Sequence, residues 1–159
     1  MAHWLTRHYG MDELSWNHIS ARMSNGETLI TPGNRMFDDI RAGDLKKCSG
    51  NVTAEVIHAA VYKSRPDVKA VVHLHTPATV AVSCLADGFQ CLAQESAYFH
   101  KRVAYHDWEG ISDDVREGPR LEKAVRSPTD ATSAPNVLVM RNHGFCTFGL
   151  SSARLVSLL

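Results

Sequence analysis

His73 and His75 close an apolar run that begins at Val68, and Pro77 follows at once. The run is short and rich in β-branched residues, so it reads as a buried strand. Side chains two apart on a strand share a face, so the two imidazoles project together. A second apolar run, 137–140, leads through Arg141 and Asn142 to His143, with Gly144 directly behind it. Neutral imidazole nitrogens are good ligands for zinc and for neighbouring divalent metals. A His-x-His pair by itself equally well satisfies hydrogen bonds at a strand end. The third histidine, at a second strand end and beside a glycine that lets the backbone turn, raises the pair to a candidate three-histidine zinc site, open to another divalent metal.

The elements that must hold these histidines follow from local patterning. Residues 1–14 are weakly patterned, a frayed helix or the remnant of one. Residues 16–23 alternate and predict a strand. Ser24-Asn25-Gly26-Glu27 is a hairpin turn, and residues 28–31 are the returning strand, stopped by Pro32-Gly33-Asn34. Residues 37–45 read as a short helical turn and a loop. The clearest helix is 53–64, with Val56, Ala59, Ala60 and Lys63 near one stripe and Ile57, Val61 and Ser64 near the next. Thr53 is its expected cap, and Arg65-Pro66-Asp67 its stop. After the histidine strand, Thr76 caps and Pro77 opens a helix that runs to Leu85 and ends at Asp87-Gly88. Residues 92–99 are ambiguous, 102–105 a short strand and 113–125 a polar amphipathic helix. Residues 127–135 are an exposed loop. Residues 136–140 form a strand, 144–149 its neighbour. Residues 151–159 open a helix whose apolar side chains require a cover, which predicts a homo-oligomer.

Composition narrows the function classes. The 159 residues fit one domain, 1–159. The chain is 44% hydrophobic and 21% charged, and its 17 basic residues balance 17 acidic ones. That balance provides neither a basic nucleic-acid face nor a membrane-surface helix. No apolar run approaches the ~20 residues of a membrane span, and the N-terminus lacks the apolar core of a signal peptide. The four cysteines, Cys48, Cys84, Cys91 and Cys146, form no C-x-x-C pair; reduced thiols in a cytoplasmic protein are expected. Cys84 and Cys91 read as small core residues. Among the other polar residues, His18 reads as structural, His58 as bonding backbone from the inner helix, and His106 and Asp107 as orienting one another. His100 and Lys101 are expected in solvent, Tyr98 and Tyr105 in packing. Glu95 is a spare carboxylate available to the metal.

Several segments resemble, in order, the class II aldolase/adducin domain family. They are Trp16-Asn17-His18-Ile19-Ser20-Ala21-Arg22, Leu29-Ile30-Thr31-Pro32, His58-Ala59-Ala60-Val61-Tyr62 with Arg65-Pro66-Asp67, Ala70-Val71-Val72-His73-Leu74-His75-Thr76-Pro77-Ala78, Val103-Ala104-Tyr105-His106-Asp107-Trp108-Glu109-Gly110-Ile111, and Leu138 with Arg141-Asn142-His143-Gly144. The Tyr105-to-Gly110 segment is closer to adducin heads and their bacterial relatives than to sugar-phosphate aldolases. The resemblance implies an α/β fold, a three-layer α/β/α domain with a mainly antiparallel central sheet, shortened at its C-terminus. It implies tetramers with active sites between subunits, and a zinc ion on His73, His75 and His143. In the aldolases, zinc polarises the substrate carbonyl and stabilises an enediolate while a carboxylate moves the proton. Substrate-binding positions fall on Asn17, Thr31 and Gly33.

This chain departs from the family pattern at informative places. The position of the family's glutamate, four before His58, is Ala54; Glu55 stands one residue later. One residue on a helix is a rotation of ~100°, yet Glu55 is the expected base. Trp16 occupies a glycine position of the sugar-phosphate aldolases, Gly33-Asn34 replaces their Thr-Gly, and Gln94 falls near one of their acid tyrosines. The resemblance therefore implies a zinc-dependent lyase acting on a small hydroxy-carbonyl or sugar-phosphate substrate. The alternative is a non-catalytic adducin-like module for self-association and cytoskeletal contacts with actin and spectrin.

Overall fold

The computed structural model describes residues 2–126 and 134–150. Most of the anticipated loop at 127–135 and the helix start at 151–159 lie outside the described residues. The chain opens with helix α1 (Ala2–His8) and a hairpin of strands β1 (His18–Arg22) and β2 (Thr28–Ile30). The hairpin closes where Asn25 Oδ1 accepts from the Glu27 N–H at 3.0 Å and Gly26 takes φ +86°. Two 3₁₀ turns, Phe37–Asp39 and Ala42–Asp44, precede helix α2 (Val52–Ser64). Strand β3 (Ala70–Leu74) and helix α3 (Pro77–Cys84) follow, then a 3₁₀ turn over Gln94–Phe99, which settles the ambiguous 92–99 stretch. Strand β4 (Val103–His106), a 3₁₀ turn (Val115–Glu117), helix α4 (Gly118–Val125), and strands β5 (Val137–Met140) and β6 (Gly144–Gly149) complete the order.

The strands form one sheet in the order β2-β1-β3-β6-β5-β4. Every neighbouring pair is antiparallel except β4 with β5, so the sheet is mainly antiparallel as expected. Strand β3 is buried along its whole length because both of its faces are covered. Val71 packs with Val56, Ile57 and Val61 of α2, Leu121 and Val125 of α4, and Phe148. Ala70, Val72 and Leu74 pack on the other face with Ile19, Phe37 and Ile40, flanked by Ala2 and Met11. Two cores back to back make a sheet between helical layers. Each fully buried Leu, Ile or Phe side chain contributes roughly 1.5–3 kcal/mol.

The local signals hold with specific exceptions. Thr76 Oγ1 accepts from the Thr79 N–H at 3.3 Å and caps α3, with Pro77 in its first turn. Helix α2 starts one residue earlier than anticipated, so its cap is Asn51, whose Oδ1 accepts from the Ala54 N–H, and Thr53 lies within the first turn. Cys84 and Cys91 are exposed, whereas Cys146 is buried; the apolar neighbours of the first two sit on an outer helix and a surface loop.

Gly144 has a different duty from the one its sequence context suggested. The left-handed turn residue is Asn142, at φ +56°. Gly144 instead lets β6 approach β3: a Cβ there would lie 2.7 Å from the Leu74 carbonyl oxygen. Because that neighbour is backbone, Gly144→Ala must displace one strand. The expected cost is about 1–3 kcal/mol, read as a lowered thermal midpoint; an unchanged midpoint would refute the close approach.

Candidate metal centre

The sheet register assembles the three histidines. His73 pairs across β1 with His18 and across β6 with Cys146, which fixes it in the sheet interior at 0% exposure. Its Nδ1 lies 3.1 Å from Cys146 Sγ and its Nε2 lies 2.7 Å from His75 Nε2. His75 sits just past β3, where its N–H donates to Asn17 Oδ1 at 3.1 Å while Asn17 Nδ2 donates to the Glu13 carbonyl at 3.2 Å. His143 comes from the turn between β5 and β6. The ring centroids are 4.7 Å (His73–His75), 5.0 Å (His73–His143) and 4.7 Å (His75–His143) apart. One nitrogen from each ring lies within 4.8 Å of the others.

This donor set suits a divalent metal. Tetrahedral zinc at ~2.0–2.1 Å from each nitrogen requires nitrogens about 3.4 Å apart, which lies between the shortest pair and that 4.8 Å limit. The ligands must be neutral, and burial makes them so. It pushes His143 down to about 4, drives His73 well below the ordinary histidine range, and lowers His75, where the charge of Glu13 offsets part of the effect. Burial also pushes the Cys146 thiol far up, so it stays protonated. In the tautomer a ligand needs, His73 Nδ1–H donates to that sulfur and frees Nε2.

His75 and His143 border a cleft of about 290 Å³ lined by Trp16, His18, Asn51, Thr53, His75, Trp108, Gly110, Ile111, Ser112, Asn142 and His143. The Trp16 ring stacks toward His75 at 6.4 Å. Trp16 and Trp108 are both more than half exposed, so they form an apolar rim rather than core.

The fold has known counterparts. The sequence model of the family described as "Class II Aldolase and Adducin N-terminal domain" matches residues 1–159. The chain belongs to the class II aldolase and adducin family. A Pseudomonas aeruginosa protein named "Putative aldolase class 2 protein" is 36% identical over 158 residues, covering 91% of this chain and 58% of its own. Rat alpha-adducin is 31% identical over 159 residues, covering 90% of this chain and 21% of its own. The chain thus spans between about a fifth and three fifths of these relatives' lengths. A crystal structure of an aldolase II superfamily protein from Pseudomonas syringae superposes with TM-score 0.84 at 32% identity, over 99% of this chain and 68% of that one. An L-fuculose 1-phosphate aldolase from Glaciozyma antarctica superposes with TM-score 0.79 at 22% identity, over 99% of this chain and 64% of that one, a likeness of fold.

Against the pattern of the class II aldolase and adducin family, the remaining anticipated site residues divide. Glu55 does not reach the cleft. Its Oε1 accepts from Cys48 Sγ at 2.7 Å, Ser49 Oγ at 3.1 Å and Gly50 N–H at 3.1 Å, and the Cys48 bond leads in holding its carboxyl below the usual range. It borders a separate hollow beside Lys63 and Glu122. Asn17 pins the backbone of His75 instead of lining the cleft. Thr31 is buried, its Oγ1 accepting from the Ile19 N–H at 3.0 Å. Gly33 lies against Asn51, where a Cβ would come within 2.6 Å of the Asn51 Cβ, so it sets the cleft wall from behind. Glu95 borders another surface hollow with Gln94 and Tyr98, and Tyr98 is exposed rather than packed.

Three features escaped the sequence reading. His58 bonds side chains and not backbone: its Nε2 lies 2.7 Å from His18 Nδ1 and its Nδ1 2.5 Å from Ser20 Oγ. His106 turns from Asp107 to Glu117, with Nε2 2.7 Å from Oε1, and Ser112 Oγ donates to the same oxygen at 3.1 Å. Glu109 completes a second group of metal-capable atoms there, but Arg120 pairs with it and balances its charge. The third is Glu13, felt at His75. Only the i, i+2 alternation His18–Ser20–Arg22 hinted at the first, by placing three polar side chains on one strand face.

Proposed function

We propose that this chain is a divalent-metal-dependent lyase of the class II aldolase type, acting on a small hydroxy-carbonyl compound or sugar phosphate. The observation that carries the reading is the convergence of His73, His75 and His143, the last two on the edge of an open cleft and His73 buried directly behind them. We assign these three residues to the ion, zinc foremost. Bound there, the ion supplies Lewis-acid stabilisation of negative charge on a substrate oxygen. The chain's own residues orient and shelter the reactants. Cys146 and Asn17 hold the His73 ring and the His75 backbone in place. Trp16 and Trp108 narrow the mouth and limit water, while Thr53 and Asn142 offer a hydroxyl and an amide group to a polar ligand. Self-association, as a tetramer, follows from the resemblance under this reading.

A second reading is an adducin-like module with no turnover and with actin or spectrin contacts. It is favoured by one observation: among the described residues, no carboxylate lines the cleft. For Glu55 to act as the base, the Cys48–Gly50 loop would have to release its carboxylate. Retro-aldol cleavage of a panel of small hydroxy-carbonyl compounds and their phosphates, with and without chelator, separates the readings. Chelator-sensitive cleavage supports the lyase; none on any member supports the module. With an active substrate, Glu55→Gln is expected to keep metal and turnover within about threefold while costing about 1 kcal/mol of stability, because the charge-assisted bonds to the loop weaken. Near-complete loss of turnover with metal retained would restore Glu55 as the base.

A further inference from the structure

His18 is the one cleft-lining histidine outside the three assigned to the metal. Its ring stacks on His73, with centroids 4.5 Å apart and planes at 17°. Behind it runs a hydrogen-bonded chain that crosses from β1 to α2. His18 Nδ1 meets His58 Nε2 at 2.7 Å, His58 Nδ1 meets Ser20 Oγ at 2.5 Å, and Ser20 Oγ meets the Tyr62 hydroxyl at 2.9 Å. All four residues are buried. Among the described residues, no group bonds the outer His18 nitrogen, Nε2.

The direction of this chain decides what His18 offers the cleft. Each link shares one proton, so the polarity of one link sets all the others. Among the described residues, Ser20 Oγ is the only partner of the Tyr62 hydroxyl, and a buried O–H left without an acceptor is costly. Tyr62 therefore donates to Ser20. Burial raises its pKa to about 12, which keeps that proton in place. Ser20 then donates to His58 Nδ1, and His58 Nε2–H donates to His18 Nδ1. The remaining proton of a neutral His18 sits on Nε2. The opposite polarity would strand the Tyr62 proton and leave His18 Nε2 as a bare lone pair, a competitor for the metal rather than a donor to a ligand.

We propose that His18 is a specificity residue: its Nε2–H donates to a carbonyl, carboxylate or hydroxyl oxygen of the ligand in the cleft, and Tyr62, Ser20 and His58 lock the tautomer that makes this possible. The ligand half rests on the metal-site reading above; the tautomer half stands without it. The test is a two-bond ¹H–¹⁵N spectrum of the ¹⁵N-labelled full chain at neutral pH, with chelator present. Wild-type His18 is expected as the Nε2–H form. Ser20→Ala removes the hydroxyl that donates to His58 Nδ1, so His18 should become a mixture of both tautomers. Titrating the zinc-loaded protein with hydroxyacetone should show roughly tenfold weaker binding in His18→Leu, and binding within about twofold of wild type in His18→Gln, which returns an N–H near the Nε2 position. An Nδ1–H tautomer in the wild type, or no tautomer change in Ser20→Ala, overturns the proposal and leaves the metal reading intact. Failure of the wild type to bind hydroxyacetone overturns the ligand half together with that reading.

Discussion

Replacing His143 by alanine should strip the protein of its metal. Two remaining imidazoles hold zinc far more weakly than three, and loss of one nitrogen ligand is expected to weaken affinity by at least about 100-fold, more than the 10–100-fold typical of changes in the partners behind the ligands. The measurement is elemental analysis after dialysis against a weak competing chelator. Wild type should retain a bound ion and His143→Ala essentially none. His73→Ala should do the same, but His73 is at 0% exposure beneath the sheet register, so that variant also leaves a core cavity costing about 2–5 kcal/mol. His143 is only half-buried, and its variant therefore separates ligand loss from unfolding. Cys146→Ser tests the support behind the ligand: it replaces the sulfur beside His73 Nδ1 and should weaken the metal by the smaller 10–100-fold factor. Equal metal content in wild type and His143→Ala would remove the centre from consideration.

The second large effect is acid lability. Burial pushes His58 down to about 3 and His143 to about 4, against 6.5 for an ordinary histidine. The unfolded chain binds these protons first as pH falls, so the unfolded state is favoured by acid. The stabilisation is complete above pH 6.5 and is lost progressively as pH falls toward 4 and 3. Each pKa unit corresponds to ~1.4 kcal/mol, so the loss over that window amounts to several kcal/mol. Carboxylates with lowered values, such as Asp67 beside Arg65 and Glu55 beside Cys48, add a further loss mainly below about pH 4.5. The interval between 6.5 and 4.5 therefore isolates the histidines. Urea midpoints of the chelated protein should be flat from pH 8.5 to 7 and fall steeply between 6 and 4.5. A flat midpoint down to pH 4.5 would contradict the buried neutral histidines.

What the sequence determined by itself was local. The β-branched run ending in His73-Leu74-His75, the Asn25-Gly26 hairpin, the Thr76-Pro77 helix start and the Arg65-Pro66 stop each need only a few neighbouring residues, because alternation, capping and proline sterics act within one turn or one pleat. The resemblance carried these elements to a mainly antiparallel sheet. Tertiary structure decided which side chains meet. Helix α2 begins at Val52, one residue before its anticipated start, and the Cys48–Gly50 loop folds under it to take the Glu55 carboxylate. The one-residue displacement of Glu55 from the family position, about 100° on a helix, was legible in the sequence; which loop groups would capture its carboxylate was not. The partners of His58 lie 38 and 40 residues away, and Glu117 reaches His106 across the loop after β4. These bonds depend on strand register and helix rotation, which are set by two hydrophobic cores assembled from the whole described chain. The same packing left Cys84 and Cys91 outside and Cys146 beneath His73, because burial depends on what covers a residue in space, and apolar neighbours in sequence do not supply that cover.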